Sequence, residues 1–325
     1  MAKNAEPADS VLSGVHVLDG GLASELEYQG VRIDGPLWSA HALEDAPEKV
    51  AAVHRAWIEA GAQCIATCSY QVSRMGYAEF GLPPERADAA LLRSVELART
   101  VAAEFPGRRV LVAASLGPYG AALHNGGEYT GDYNCSFEDL VAFHRERIAV
   151  LAGARGEQAP DLHPTGQRSP GGGPDLLAFE TFPSLEEVRA VGQALAPWPG
   201  LRAWFSFSCR DEKHVSHGEP VADCAAFLER LPQTVAIGVN CVPPKWISSL
   251  IAELRAASSK PVIVYPNSGE GWDAEHRCWT GTTDAAEFGA MAEKWFRAGA
   301  QIVGGCCRTR PAHIRQVAQA ATENG

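Results

Sequence analysis

The sequence predicts a (β/α)8 barrel of the TIM type. Three observations predict it. Eight short apolar runs recur along the chain, helical patterns lie between them, and polar, glycine-rich residues gather where the runs end. The runs are Val15–Asp19, Cys64–Ser69, Val110–Leu116, Leu176–Thr181, Ala203–Ser208, Val235–Cys241, Val262–Asn267 and Ile302–Cys306. Most are apolar throughout rather than alternating, as parallel strands covered on both faces are. A doubly wound open sheet is the main rival. It normally has fewer strands and a G-x-G-x-x-G turn after the first, whereas the first run here ends in Asp19-Gly20-Gly21.

Helices fit between the runs. Pro47–Ala60 puts Val50, Val53 and Trp57 on one face, and Glu85–Ala103 does the same with Leu91, Val95 and Ala98. Phe137–Leu151 follows Ser136, a good N-cap residue. Ser184 with Glu187, and Asp284 with Glu287, have capping-box spacing. Val221–Leu231, Lys245–Ala257, Asp284–Ala298 and Pro311–Ala321 complete the set, although Arg310 is a poor cap for the last. Residues 1–11 read as a disordered leader, and 12–325 as a single barrel domain. Residues 153–174, rich in Gly, Pro, Ser and Gln, are expected to be a disordered insertion. The insertion follows a helix and precedes a strand, which in a barrel is the end opposite the active site.

Composition narrows the function. A chain of 325 residues that is 46% hydrophobic can bury one large core. Its formal charge of −11 argues against nucleic acid and anionic membranes as partners. No apolar run is long enough to span a bilayer, and Met1–Ser10 lacks the apolar centre of a signal peptide. The cysteine count is nine, an odd number, which disfavours a disulfide framework and points to a reducing cytoplasm. The expected partners are small-molecule substrates, and the expected assembly is a monomer or small homo-oligomer, neither of which composition itself decides.

In a (β/α)8 barrel the active site lies at the C-terminal ends of the strands. Two of those ends carry Gly238-Val239-Asn240-Cys241 and Gly304-Gly305-Cys306-Cys307. Cys241, Cys306 and Cys307 are expected to form a three-cysteine site for Zn2+ with an open fourth position, the design of a catalytic rather than a structural zinc. Neighbouring strand residues point to opposite faces, so Cys306 and Cys307 can share a metal only if the chain turns. Gly304 and Gly305 are expected to permit that turn through their dihedral freedom. The competing readings are buried structural thiols and a vicinal redox pair. Asp19 and Glu180 stand at two further strand ends and suit a substrate ammonium group. Gly20 and Gly21 would let a substrate carboxylate approach the backbone. Asn240 is expected to orient the site, and Ser69, Tyr70 and Gln71 to line it. Trp272 and Trp279 are candidates for a lid, while His214 and His217 read as a polar loop.

These motifs resemble the homocysteine S-methyltransferase family. The resemblance rests on Asp19-Gly20-Gly21-Leu22-Ala23-Ser24-Glu25-Leu26, Ser69-Tyr70-Gln71, Glu180-Thr181 and the two cysteine motifs continued by Arg308-Thr309, in order over residues 12 to 322. It implies a (β/α)8 barrel, catalytic zinc on the three cysteines, and methyl transfer to homocysteine giving methionine. Pro266-Asn267-Ser268-Gly269-Glu270, with Trp272, Asp273 and Trp279, is similar to the branch that uses S-methylmethionine, sometimes S-adenosylmethionine. The chain stops soon after its last helix, which argues against the betaine-using branch with its C-terminal arm. Selenocysteine or another thiol stays open as the acceptor. Two other classes also stay open: a barrel hydrolase or lyase using Asp19 and Glu180, and a zinc or redox sensor using Cys306-Cys307.

Overall fold

The computed structural model describes residues 11–33, 39–154, 172–273, 278–280 and 284–324. Seven of the apolar runs form one parallel sheet, in the order β1 (Cys64–Ala66), β2 (Leu111–Leu116), β3 (Leu176–Phe182), β4 (Ala203–Phe207), β5 (Thr234–Asn240), β6 (Val262–Tyr265) and β9 (Ile302–Val303). Between the last two, β7 (Gly271–Asp273) and β8 (Cys278–Thr280) make a separate antiparallel ribbon. The first run contributes two parallel bridges rather than a strand, Val17 to Val303 and Leu18 to Cys64. Leu18 N donates to Val303 O at 2.9 Å and Asp19 N to Cys64 O at 3.2 Å, so this run closes the ring between β9 and β1. Its ladder is incomplete because the Gln63 side chain takes part of it. Gln63 Oε1 accepts from His16 N at 2.7 Å and Val17 N at 3.1 Å.

The helices are α1 (Leu22–Tyr28), α2 (Ser39–Asp45), α3 (Pro47–Ala60), α4 (Arg74–Ala78), α5 (Pro84–Ala103), α6 (Tyr119–Ala122), α7 (Phe137–Ala154), α8 (Leu185–Leu195), α9 (Val221–Glu229), α10 (Ile247–Ala257), α11 (Ala285–Ala298) and α12 (Pro311–Asn324). All eight expected helices are present. The four that sequence periodicity misses, α1, α2, α4 and α6, have seven residues or fewer and too few turns to show a period. Capping explains the starts. Ser136 Oγ accepts from Asp139 N at 3.1 Å, and the Asp139 carboxylate returns to Ser136 N at 2.9 Å. Asp284 accepts from Ala286 N and Glu287 N. The weak cap at Arg310 is remedied by His313, whose Nδ1 accepts from Arg310 N at 3.0 Å.

Two apolar layers result. Residues such as Trp57, Leu91, Phe179, Phe205 and Trp295 fill the space between sheet and helices. The alternate residues Leu111, Ala113, Leu176, Ala178, Trp204, Ile263 and Tyr265 fill the barrel interior with Leu18 and Ile302. The same alternation, carried two residues further, turns Ser115, Glu180 and Ser206 inward at the C-terminal end. Polar side chains therefore cap an apolar barrel core, which is how the fold positions a site. No helix among the described residues is long and apolar enough to cross a membrane. The expectation for residues 153–174 falls, for 155–171, outside the described residues, as does most of the leader.

Candidate metal centre

Three sulfur atoms meet at the C-terminal mouth. β5 ends at Asn240, and the next residue, Cys241, takes a left-handed φ of 56° and brings its sulfur to the other two cysteines. Cys306 and Cys307 lie in the turn after β9, closed by Arg308 at φ 66°. Cys241 Sγ is 3.1 Å from Cys306 Sγ and 3.4 Å from Cys307 Sγ, and all three ligand atoms lie within 4.8 Å of one another. Zn–S bonds of ~2.3 Å at tetrahedral angles separate sulfurs by roughly 3.8 Å, so the triad fits a zinc ion. It is the one group of metal-capable His, Cys, Asp or Glu side chains found among the described residues. The cysteines whose side chains are described are all free thiols. Hydrogen bonds from Cys306 and Cys307 hold the Cys241 thiol well below its ordinary range, while the same contacts push the other two up. His214 and His217 pair instead with Asp211 and Glu219, as a polar loop would.

The glycines act by size, not by dihedral freedom. Neither Gly304 nor Gly305 has a positive φ, contrary to the expectation from sequence. A Cβ at Gly304 would lie 2.5 Å from Leu18 Cβ, and one at Gly305 2.4 Å from Thr309 Oγ1. A Cβ at Gly21 would lie 2.3 Å from Cys306 O. The Asp19-Gly20-Gly21 segment thus packs directly on the cysteine turn. Thr309 Oγ1 ties the two, donating to Cys306 O at 2.7 Å and accepting from Gly21 N at 3.1 Å.

Asn240 holds the opposite side of the cluster. Its Oδ1 accepts from Thr181 N and its Nδ2 donates to Thr181 Oγ1, both at 2.8 Å, and Nδ2 lies 3.9 Å from Cys306 Sγ. Thr181 sits at φ 63°, a conformation that β-branched residues avoid, so this double bond pins a strained residue beside the sulfurs.

Beneath the thiols lie the two carboxylates, Asp19 6% and Glu180 9% exposed. Burial pushes Glu180 up to about 7, against hydrogen bonds from Ser115 and Tyr265 that pull it down, with the Cys241 charge adding to the rise. Asp19 is likewise raised, by burial first and by Glu180 as a like charge. Its Oδ2 accepts from Ala66 N at 2.7 Å, so it braces β1 and does not cap α1. Ser69 is buried. Its hydroxyl donates to Ser115 O at 2.8 Å and meets Thr67 Oγ1 at 2.6 Å. The side chain therefore supports Ser115, which donates to Glu180. The Tyr70 hydroxyl bonds to Thr181 and is pushed up by burial. Trp272 and Trp279 are cross-strand partners in the β7–β8 ribbon, and their side chains lie outside what is described.

Sequence reasoning misses the segment after β2. Tyr129 OH lies 3.4 Å from Cys241 Sγ, and Glu128 precedes it in the 3-10 turn Gly127–Tyr129. A buried relay holds this segment. Arg147 Nη2 donates to Gly117 O at 2.8 Å and to His144 Nδ1 at 2.9 Å, and His144 Nε2 donates to Glu187 at 2.9 Å. Glu187 also accepts from Tyr119 N and, at 3.0 Å, from Tyr133 OH. Burial drives His144 down to about 4, so the ring is neutral and passes one bond on each side. The only signal in sequence is Glu187 in a capping box. In the structure Ser184 does cap Glu187 N at 3.2 Å, but the Glu187 carboxylate serves this loop instead.

Fold and site together define a barrel enzyme whose mouth carries a three-cysteine cluster suited to a soft metal. Comparison with known proteins specifies the class. A family model described as homocysteine S-methyltransferase matches residues 16–321. The Bacillus subtilis (strain 168) homocysteine S-methyltransferase YbgG is 41% identical over 314 residues, spanning 93% of each chain. The selenocysteine Se-methyltransferase of Brassica oleracea var. italica is 38% identical over 325 residues, covering 94% of this chain and 88% of its own. The crystal structure of the Escherichia coli homocysteine methyltransferase MmuM in its metallated form superposes with a TM-score of 0.80 at 39% identity, covering 97% of this chain and 99% of that one. The chain belongs to the homocysteine S-methyltransferase family.

Proposed function

We propose that this protein transfers a methyl group from a sulfonium donor, S-methylmethionine or S-adenosylmethionine, to the sulfur of homocysteine, giving methionine. The observation that carries the proposal is the convergence of Cys241, Cys306 and Cys307 above two buried carboxylates. The three cysteines would hold the zinc ion, which when bound keeps a thiol in its nucleophilic thiolate form near neutral pH. Asp19 and Glu180 receive the ammonium group of homocysteine, and its charge offsets the cost of two neighbouring buried carboxylates. Asn240 and Thr309 hold the cysteine turns in place from either side. A sulfonium is already activated. The methyl carbon leaves one sulfur as it joins the other, and the electron pair of the broken bond stays on the departing thioether. No general acid is needed, so the protein's task is positioning. The substrates are small molecules, and a cytoplasmic location suits the free thiols.

The relative named for selenocysteine favours a second acceptor, since a selenolate presents the same soft anion to the same cluster. Competition among methyl-labelled S-methylmethionine, S-adenosylmethionine and betaine, each with homocysteine and with selenocysteine, tests both assignments. Label is expected in methionine from a sulfonium donor. Label transfer only from betaine, or only to selenocysteine, would overturn the assignment of donor or acceptor respectively.

A further inference from the structure

One carboxylate oxygen near the cysteine cluster is left without a partner. Glu128 Oε2 is buried and without a hydrogen-bond partner, and no ion pair to Glu128 forms among the described residues. Its backbone is fixed. Ser208 Oγ donates to Glu128 O at 2.8 Å, and a Cβ on Gly120 would stand 2.4 Å from Glu128 N. The next residue, Tyr129, reaches Cys241 with its hydroxyl. Burial raises the Glu128 carboxyl to about 7, its own backbone N–H opposes, and the Cys241 charge adds to the rise. The half-buried Tyr70 also feels the charges of Glu128 and Cys241, which places it in the same neighbourhood as both. Two further buried acceptors near the strand ends, Gln71 Oε1 and Asn267 Oδ1, are unpaired as well.

A buried carboxylate oxygen without a partner is costly and is tolerated where a ligand completes it. The missing partner is a cation, because an anion would face both Glu128 and the thiolates. A carboxylate with tyrosines in its neighbourhood suits a cation that cannot donate hydrogen bonds, since the field and the ring faces can do the recognising. Resting on the methyl-transfer reading above, we propose that Glu128 recognises the positively charged sulfur of the methyl donor and sets the preference for a sulfonium over a neutral thioether. Tyr129 and Tyr70 flank that charge. The attraction also draws the donor toward Cys241 and its neighbours, the side from which a thiolate must attack.

The test compares two ligands that differ by one methyl group and one charge, S-methylmethionine and methionine. Dissociation constants are measured on zinc-loaded wild type and Glu128→Gln, with zinc content, melting temperature and homocysteine affinity followed in parallel. Wild type is expected to prefer S-methylmethionine, and Glu128→Gln to lose about tenfold or more of that preference. Affinity for methionine and homocysteine, and zinc content, should stay within about twofold. Glu128→Asp, which keeps the charge, should restore part of the preference. An unchanged preference in Glu128→Gln, or equal losses for all three ligands, overturns the assignment. So does a wild type that binds the two ligands equally. Methyl transfer to homocysteine by wild type, scored separately, decides the broader function independently of Glu128.

Discussion

Glu180 shows how burial sets both function and stability at a single residue. Its carboxyl titrates near 7 chiefly because it is buried. The folded state therefore binds this proton more tightly than the unfolded chain, and stability falls as pH rises from about 4.5 through about 7. Replacement by Gln removes that penalty. Glu180→Gln should raise the melting temperature at about pH 8, by up to on the order of 3 kcal/mol in stability, and the gain should fade toward about pH 4. Melting curves across that range check it, and a gain independent of pH would refute the assignment. The same substitution should weaken homocysteine binding by about 10- to 100-fold, since a charge-assisted bond is lost. Asn240 makes the complementary case. Asn240→Ala strips both bonds from the strained Thr181 and should destabilise the fold by about 1–3 kcal/mol. It should also weaken zinc binding by on the order of 10- to 100-fold, measured by chelator competition. Neither effect would appear if Asn240 were a plain turn residue.

At the scale of elements, close approach governs where glycine is required. A Cβ on Gly238 would lie 1.6 Å from Ile263 O, so β5 and β6 could not keep their register. Gly238→Ala should cost several kcal/mol and yield little folded protein, whereas Gly107→Ala, with open space around it, should be nearly neutral. Denaturant titration of the pair distinguishes crowding from general intolerance of alanine. The same contrast explains what is legible in the sequence. Apolar runs and capping residues disclose strands and long helices because they reflect local periodicity. The reason for Gly304-Gly305 is not legible, because the neighbours that crowd them, Leu18 and Thr309, are remote or unremarkable in sequence. The Glu187–His144–Arg147 relay is invisible for the same cause, as it joins α7 and α8 to the loop after β2. Breaking it with Glu187→Gln should loosen the segment bearing Glu128 and Tyr129, seen as faster amide exchange at residues 117–133 with zinc content unchanged.

At the scale of the whole molecule, the barrel closes through a run of residues that barely qualifies as a strand, yet that run delivers Asp19, Gly20 packed against Trp57 and Thr309, and Gly21 packed against Cys306. The same run therefore serves both barrel closure and the site. The cysteine triad is legible because two glycine-flanked motifs at strand ends imply one mouth. The approach of Tyr129 to Cys241, and of Glu128 beside it, is not, because both lie in a loop with no motif of its own. The central claim is that the triad holds a zinc ion on which methyl transfer depends. The most direct measurement is zinc content alongside methionine formation from homocysteine and S-methylmethionine, on fully reduced wild type and Cys241→Ser, before and after chelation. The account predicts about one zinc per wild-type chain, turnover lost on chelation and regained with zinc, and neither metal nor turnover in a folded Cys241→Ser protein. Full turnover in zinc-free, reduced protein would contradict it.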